Sequence, residues 1–355
     1  MANNSVVLNT MNHVKPSELA KALHFILDQG LVPYIEGPPG SAKSSIVHQV
    51  AVERKRKVID RRLSQMEAVD LTGALFPSNG QTTWYPPDFF VRASKSPKEH
   101  LFFFDEYDKA PPEVQNASLG ILLDRMIGDT RFDGVDMILA GNRIEDRAGA
   151  NRISTAARNR LVNLQIQHDP DDYIRYWVNN GFHHYVIAFC RYKPSAVNEF
   201  VLQSGSKEHR DKLDAVRQAY AFATPRSWEF VSKMYHGTMP QDLQPALLAG
   251  TIGEAMANEF LGYIKIISDC PDIDVLLMDP QRAPVPKSPA AKITVATALG
   301  QKATPDNFER VSIYLDKLEP EYQIMTCMDC FRRDPTISVT KAGQKWFLKH
   351  QKVLS

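Results

Sequence analysis

Cysteine is scarce. The chain has 355 residues and four cysteines, Cys190, Cys270, Cys327 and Cys330, too few for a disulfide framework, so a reducing, cytoplasmic setting is expected. No run of about 18 or more uncharged apolar residues occurs, which excludes a membrane-spanning helix. The opening residues MANNSVVLNTMNHV lack a basic start followed by an apolar block, so no secretory signal is expected. Charge of one sign is missing too. Forty-two Lys and Arg face 41 Asp and Glu, for a net charge of +1. No global field draws the protein to nucleic acid or to an anionic membrane, although a local basic groove remains open. Metal-ligand spacing is also thin. Cys327-Met-Asp-Cys330 has no second such pair, and His183-His184 has no spaced partner, so neither is read as a metal or redox centre.

What is present is ordinary globular material. Hydrophobic residues make up 43% and charged residues 23%, and the length suits two or three domains.

The informative stretch is LVPYIEGPPGSAKS, Leu31 to Ser44. It reads as a short apolar strand, a glycine-proline turn and the start of a helix, the order of a phosphate-binding loop. Gly37 and Gly40 let the main chain of the loop Gly37, Pro38, Pro39, Gly40 and Ser41 curl so that its N–H groups face inward. The helix opening at Lys43, Ser44 and Ser45 aims its positive dipole end at the same place. Lys43 can reach the outer phosphates, and the Ser44 hydroxyl can ligate Mg2+. Ala42 stands where the general motif has glycine, and is expected to accept a helical first-turn conformation.

A second motif lies about 60 residues further on. His100–Asp105 reads as a buried parallel strand that delivers Asp105 and Glu106 at its carboxyl end, where open parallel sheets bind ligands. Asp105 is placed to hold Mg2+ and Glu106 to deprotonate the attacking water. Strands are also expected over 31–36, 57–63, 135–140 and 160–166, giving a five-stranded parallel α/β core. Asn142 lies past the strand over 135–140, where its amide can polarise the same water. Helices are expected over 16–29, after the loop, and over 111–125.

Several stretches leave alternatives open. Residues 64–99 read as irregular. Trp84, Tyr85, Phe89 and Phe90 within them either pin the loop to the core or face a partner. The basic run Arg54–Lys57 reads as a solvated helix end in preference to a nucleic-acid footprint. Arg158 and Arg160 precede the last strand, as surface charge or as a guanidinium offered to a neighbouring subunit.

Taken together, the residues resemble the AAA+ ATPases, and within them the MoxR type. Gly37-Pro-Pro-Gly-Ser-Ala-Lys43-Ser44 is similar to that branch's loop, in which alanine before the lysine is usual. Asp105-Glu106-Tyr-Asp-Lys-Ala-Pro-Pro-Glu-Val-Gln115 resembles its Walker B run. The resemblance implies that Asn142 is the sensor 1 residue. It makes Arg160, or Arg158 two residues earlier, the finger arginine. Thr224-Pro225-Arg226 resembles the start of a lid helix, which makes Arg226 the sensor 2 arginine. Leu161 stands where the family has Phe. The matches span about residues 30–235, with 64–99 in the place of an extra insert in helix 2. The resemblance implies ATP and Mg2+ as cofactors and a nucleotide at the interface of a ring, commonly hexameric. It also implies work on a protein partner, often one with a von Willebrand factor A domain or a metal-containing enzyme. A nucleic-acid machine of helicase-loader or clamp-loader type is the alternative, supported by the basic clusters at 54–57 and 61–62.

The implied organisation is an ATPase core over 1–168, a helical lid over 169–238 and a helical C-terminal extension over 239–355. Lid helices are expected over 169–180, 184–200, 207–222 and 225–235. Beyond them, 245–268 reads as one long helix. Residues 278–292 read as an extended proline-rich linker or, alternatively, a packed surface loop. Further helices are expected over 290–300, 305–318, 320–331 and 340–354.

Overall fold

In the computed structural model the chain is described over residues 12–143, 153–200, 211, 214–216, 218–237, 239–267 and 270–354. It divides into two units, Met1–Asp169 and Pro170–Ser355. No helix among the described residues is long and apolar enough to cross a membrane.

The first unit enters its sheet at β1 (His13–Val14) and continues through helix α1 (Pro16–Asp28), β2 (Pro33–Glu36), α2 (Lys43–Glu53) and β3 (Lys57–Arg62). After a short turn come α3 (Ala68–Thr72), the strands β4 (Ala74–Ser78) and β5 (Gln81–Tyr85), and α4 (Asp88–Lys95). The chain then forms β6 (His100–Asp105), α5 (Pro112–Asp124), the small hairpin β7 (Met126–Ile127) and β8 (Thr130–Arg131), and β9 (Asp136–Gly141). The last elements are α6 (Thr155–Arg158) and β10 (Val162–Ile166). The main sheet has six strands in the order β1-β10-β2-β9-β6-β3, paired in parallel throughout. The five strands read from the sequence are all there, and two-residue β1 adds a sixth at the edge.

The sheet is covered on both faces, which is why its central strands read as unbroken apolar runs. Along β6, Leu101 and Phe103 face the cluster made with Leu19, Leu23, Val47 and Val50 of α1 and α2. Phe102 and Phe104 face the opposite cluster, with Phe89, Phe90, Val114 and Ile121 of α4 and α5. This alternation is the period-2 geometry of a strand.

Residues 64–99 are more ordered than expected. Gln81–Tyr85 pairs antiparallel with Ala74–Ser78, turning at Asn79 and Gly80, both at positive φ. The aromatic cluster splits. Phe89 and Phe90 are core, whereas Trp84 and Tyr85 of the hairpin are exposed. The phenylalanines pin the segment to the core, and Trp84, though exposed, still donates its Nε1–H to the Thr72 carbonyl at 2.7 Å and lies against Gly128. The basic run also differs from a solvated helix end. Arg54 Nε and Arg56 Nε donate to Asp136 Oδ2 at 2.9 and 2.8 Å, and Arg54 Nη1 donates to Asp28 at 2.7 Å. Asp136 is buried, so the two arginines neutralise a carboxylate at the start of β9.

The second unit is helical: α7 (Pro170–Asn179), α8 (His184–Tyr192), α9 (Pro225–His236), α10 (Gln244–Ile252), α11 (Glu254–Ile266), α12 (Ile273–Met278), α13 (Pro289–Lys302), α14 (Phe308–Leu315), α15 (Pro320–Arg333) and α16 (Lys341–Leu354). The single helix expected over 245–268 is two, because Gly253 sits at φ +82°, where a Cβ would lie 2.6 Å from the Ala221 carbonyl oxygen. The stretch expected as a helix over 184–200 leaves α8 at Tyr192 for a tight turn at Pro194–Ala196. Of the helix expected over 207–222, residues 211, 214–216 and 218 are helical and 219–222 are not, and the others lie outside the described residues. One cluster gathers Trp177, Trp228 and Phe260, so the division expected at residue 239 falls inside it. A second gathers Leu299, Phe308, Tyr314 and Cys327. Residues 279–288 are held by α14 and by Lys317 just beyond its end: Tyr314 Oη donates to the Pro284 carbonyl at 2.8 Å and Lys317 Nζ to the Gln281 carbonyl at 3.0 Å. These contacts match the packed-loop alternative. Cys327 and Cys330 are buried free thiols on α15. Burial pushes both up, Cys330 to about 12, so neither is a thiolate nucleophile at neutral pH.

Candidate functional site

Parallel strands deliver their loops at one edge of the sheet, and four of these ends carry the chemistry. β2 runs into Gly37, β3 into Ser64, β6 into Asp105 and Glu106, and β9 into Asn142. Gly37 is a tight position, since a Cβ there would stand 3.0 Å from Ser41 Oγ and 3.2 Å from Ile166 Cβ. Gly40 adopts φ +72°, which curls the loop back toward α2.

Ala42 departs from expectation. It is the N-cap of α2 and adopts a left-handed conformation, φ 66° and ψ 16°, not a helical one. This explains why the general motif favours glycine there. The left-handed region costs an alanine about 1–2 kcal/mol, of which glycine's greater freedom when unfolded would cancel about half. Ala42→Gly is therefore expected to raise the melting temperature of the unliganded protein by about 2–4 °C. A lower melting temperature by calorimetry would refute the strain.

Lys43 is 9% exposed. Its ammonium donates to the carbonyls of Gly37 and Pro38 at 2.7 and 3.0 Å and to Asn142 Oδ1 at 3.1 Å. The loop, the lysine and the end of β9 thus form one hydrogen-bonded unit. Ser44 Oγ donates to Asp105 Oδ2 at 3.2 Å, and Asp105 Oδ1 accepts the Glu106 main-chain N–H at 2.8 Å. A hydroxyl and a carboxylate in contact at the head of a helix are the oxygen donors that Mg2+ takes, so these two residues fit that ion. Ser45, next along α2, is exposed.

Glu106 is also left-handed, φ 56° and ψ 36°, a strained conformation that active sites tend to keep. The Ser64 hydroxyl donates to its carboxylate, and Lys109 lies 3.6 Å away. The Ser64 bond holds the Glu106 carboxyl below the usual range, burial acts against it, and the Lys109 and Arg62 charges add to the lowering. Glu106 is thus ionised and able to accept a proton. Sequence reasoning missed Ser64. Its only signal was its place just past β3, beside the strand that carries Glu106.

The arginines differ in setting. Arg160 Nη1 donates to the Ala156 carbonyl at 2.9 Å, and the side chain lies near Tyr107. Arg158 is exposed at the end of α6 and makes no side-chain bond among the described residues. Arg226 belongs to the second unit, exposed in the first turn of α9, behind the cap in which Thr224 Oγ1 accepts the Ser227 N–H at 3.2 Å. His183 is a cap as well: its Nδ1 accepts the Tyr185 N–H at 3.3 Å. The structure brings His236 within 5.3 Å of its ring, yet no group among the described residues is arranged to hold a metal ion.

Comparison with curated protein sequences gives no match. Among solved structures, a candidate ATPase from Cytophaga hutchinsonii aligns over 89% of this chain and 79% of its own, at 15% identity and a TM-score of 0.31. NtrX from Brucella abortus in complex with ADP aligns over 96% of this chain and 68% of its own, at 14% identity and a TM-score of 0.37. Both likenesses are too loose to argue from. The family comparison is local and falls on the site itself: residues 34–161, which hold the phosphate loop from Gly37, Asp105, Glu106, Asn142 and both candidate finger arginines, match the AAA domain of the dynein-related subfamily.

Proposed function

We propose that the protein hydrolyses ATP with Mg2+ as a ring-forming AAA+ ATPase of the MoxR type, and spends the cycle on remodelling or activating a protein partner. One observation carries the reading. Lys43, Ser44, Asp105, Glu106 and Asn142 come from three strand ends, and hydrogen bonds join them or their immediate neighbours into one group at the carboxyl edge of the sheet. A phosphate-binding turn alone needs no carboxylate pair and no amide. Hydrolysis needs all three.

The roles follow from position. The Gly37–Ser41 main chain and Lys43 bind the phosphates. To do so, Lys43 exchanges its carbonyl partners for phosphate oxygens. Ser44 and Asp105 would hold Mg2+, which neutralises phosphate charge when bound. Glu106 leaves Ser64 to accept a proton from water, and Asn142 orients that water.

Arg158, exposed and unengaged, suits a contact across a subunit boundary better than Arg160, which is tied to Ala156 in its own chain. With Arg158 as the finger, assembly gates hydrolysis. The nucleic-acid alternative loses support, since Arg54 and Arg56 are spent on Asp136 and Arg61 lies over the Phe89 ring at 4.6 Å.

Sedimentation and turnover test this reading together. ATP with Mg2+ is expected to drive the protein into a ring, and Arg158→Ala to keep the ring but lose turnover by about 1000-fold. No ATP-dependent assembly and no phosphate release would sink the reading. Normal turnover in an Arg158→Ala ring would return the finger to Arg160.

A further inference from the structure

Tyr34, Asp108 and Gly141 meet beside Asn142 in an arrangement that phosphate binding and water activation do not use. Asp108 is 1% exposed and Tyr34 3%. Yet among the described residues neither carboxyl oxygen of Asp108, nor the Tyr34 hydroxyl, makes a hydrogen bond. Buried polar groups are nearly always paired, and leaving one unpaired costs about 1–3 kcal/mol. A pair of neighbouring oxygens left so is a poor way to stabilise a core.

Both oxygens close on one point of the main chain. A Cβ on Gly141 would lie 2.2 Å from Tyr34 Oη and 2.6 Å from Asp108 Oδ1. Gly141 is the last residue of β9, so Asn142 leaves the sheet from the spot they crowd. Tyr34 is fixed from below by its register opposite Leu139 and by edge-to-face packing on Tyr107, 6.2 Å between centroids. Asp108 is fixed by the turn Tyr107–Lys109 just past Glu106. Burial raises the Asp108 carboxyl above its usual range. The main-chain N–H groups of Asn142 and of Asp108 itself pull it down, as do the charges of Lys109 and Lys43. Those N–H groups lie near the carboxyl without reaching hydrogen-bond geometry.

We propose that Tyr34 and Asp108 are positioning residues for Asn142: they grip the main chain at Gly141 and so set where the Asn142 amide meets Lys43 and the attacking water. The proposal rests on the ATPase reading. It accounts for the close approach at Gly141, where the two side chains fill the space that any Cβ would take and so leave the main chain no room to shift toward them. Small displacements of such a group are felt strongly in the chemical step and weakly in binding.

The test uses the full chain. Tyr34→Phe removes one oxygen, and Asp108→Asn keeps the shape of the side chain, so both are expected to melt within about 3 °C of the parent. Each is expected to lower kcat about tenfold, with KM for ATP moved by less than about twofold. The decisive arm is the Asn142→Ala background, in which the same two substitutions should lower kcat by less than about twofold, since the residue they position is gone. Wild-type kcat in both single variants would overturn the proposal. So would the full tenfold loss persisting without the Asn142 amide. Either result leaves the ATPase reading standing, whereas a parent protein that releases no phosphate overturns both.

Discussion

Glu106→Gln is expected to lower ATP turnover by at least about 100-fold while nucleotide affinity stays within about twofold. The reason is local. Glu106 comes directly after the β6 strand end, in a left-handed backbone conformation that turns its carboxylate away from Asp105 toward Ser64. The two carboxylates therefore divide their work. Asp105 faces Ser44. Glu106 faces a hydroxyl that it can release. Glutamine keeps the volume of the side chain and an oxygen to accept from Ser64, so the fold is expected to be unchanged. What it lacks is basicity, and a positioned general base is worth about 100- to 10,000-fold. Single-turnover hydrolysis beside a fluorescent-nucleotide titration separates the two effects. A variant that hydrolyses like the parent would move the base elsewhere. One that no longer binds nucleotide would place Glu106 in the binding set.

How much of this was legible in the sequence depends on what each residue relies on. The five long strands and the loop could be read because they rest on local pattern: apolar runs bounded by Gly and Pro, and residue types at fixed offsets around Lys43. Asp105 and Glu106 were legible because a strand end is defined by where hydrophobicity stops. The parts that escaped depend on distant partners. Ser64 acquires its role only when β3 lies beside β6, and nothing about a lone serine after a basic strand announces that. Arg54 and Arg56 look solvated until Asp136, on another strand, is brought beneath them. Asp108 reads as one more acid in an acidic turn until Tyr34 and Gly141 enclose it. Ala42 was misread for a different reason. Its residue type suits a helix, but the turn needs a left-handed residue at that point, and tertiary geometry overrode propensity. The hairpin at 74–85 was missed because its strands face solvent, with Leu75, Phe76, Trp84 and Tyr85 all exposed, so the alternation that marks a half-buried strand is absent.

Lys43→Ala is expected to remove most of the response of the protein to nucleotide. In the parent, ATP at about 100 times its dissociation constant stabilises the bound form by about 2.7 kcal/mol, which raises the melting temperature of a unit this size by about 5–10 °C. Lys43 supplies the only buried cation among the described residues of the loop, and charge-assisted bonds to phosphate weigh about twice as much as neutral ones. Without it, the main-chain cradle faces the phosphate charges with N–H dipoles alone, and affinity is expected to fall by at least about 100-fold, which leaves at most about 0.4 kcal/mol of stabilisation, a shift of about 1–2 °C, at the same ATP concentration. The unliganded protein responds differently. Alanine releases the desolvation of a buried ammonium but leaves the Gly37 and Pro38 carbonyls and Asn142 Oδ1 without their donor. These opposed changes keep the expected loss of stability to about 1–3 kcal/mol. The signature is therefore a modest drop in melting temperature without ATP and a rise of at most about 1–2 °C with it. A Lys43→Ala protein that still gained the full shift from ATP and Mg2+ would mean that nucleotide binds elsewhere on the chain, and the network joining Lys43 to Asn142 would then have to be explained as structure alone.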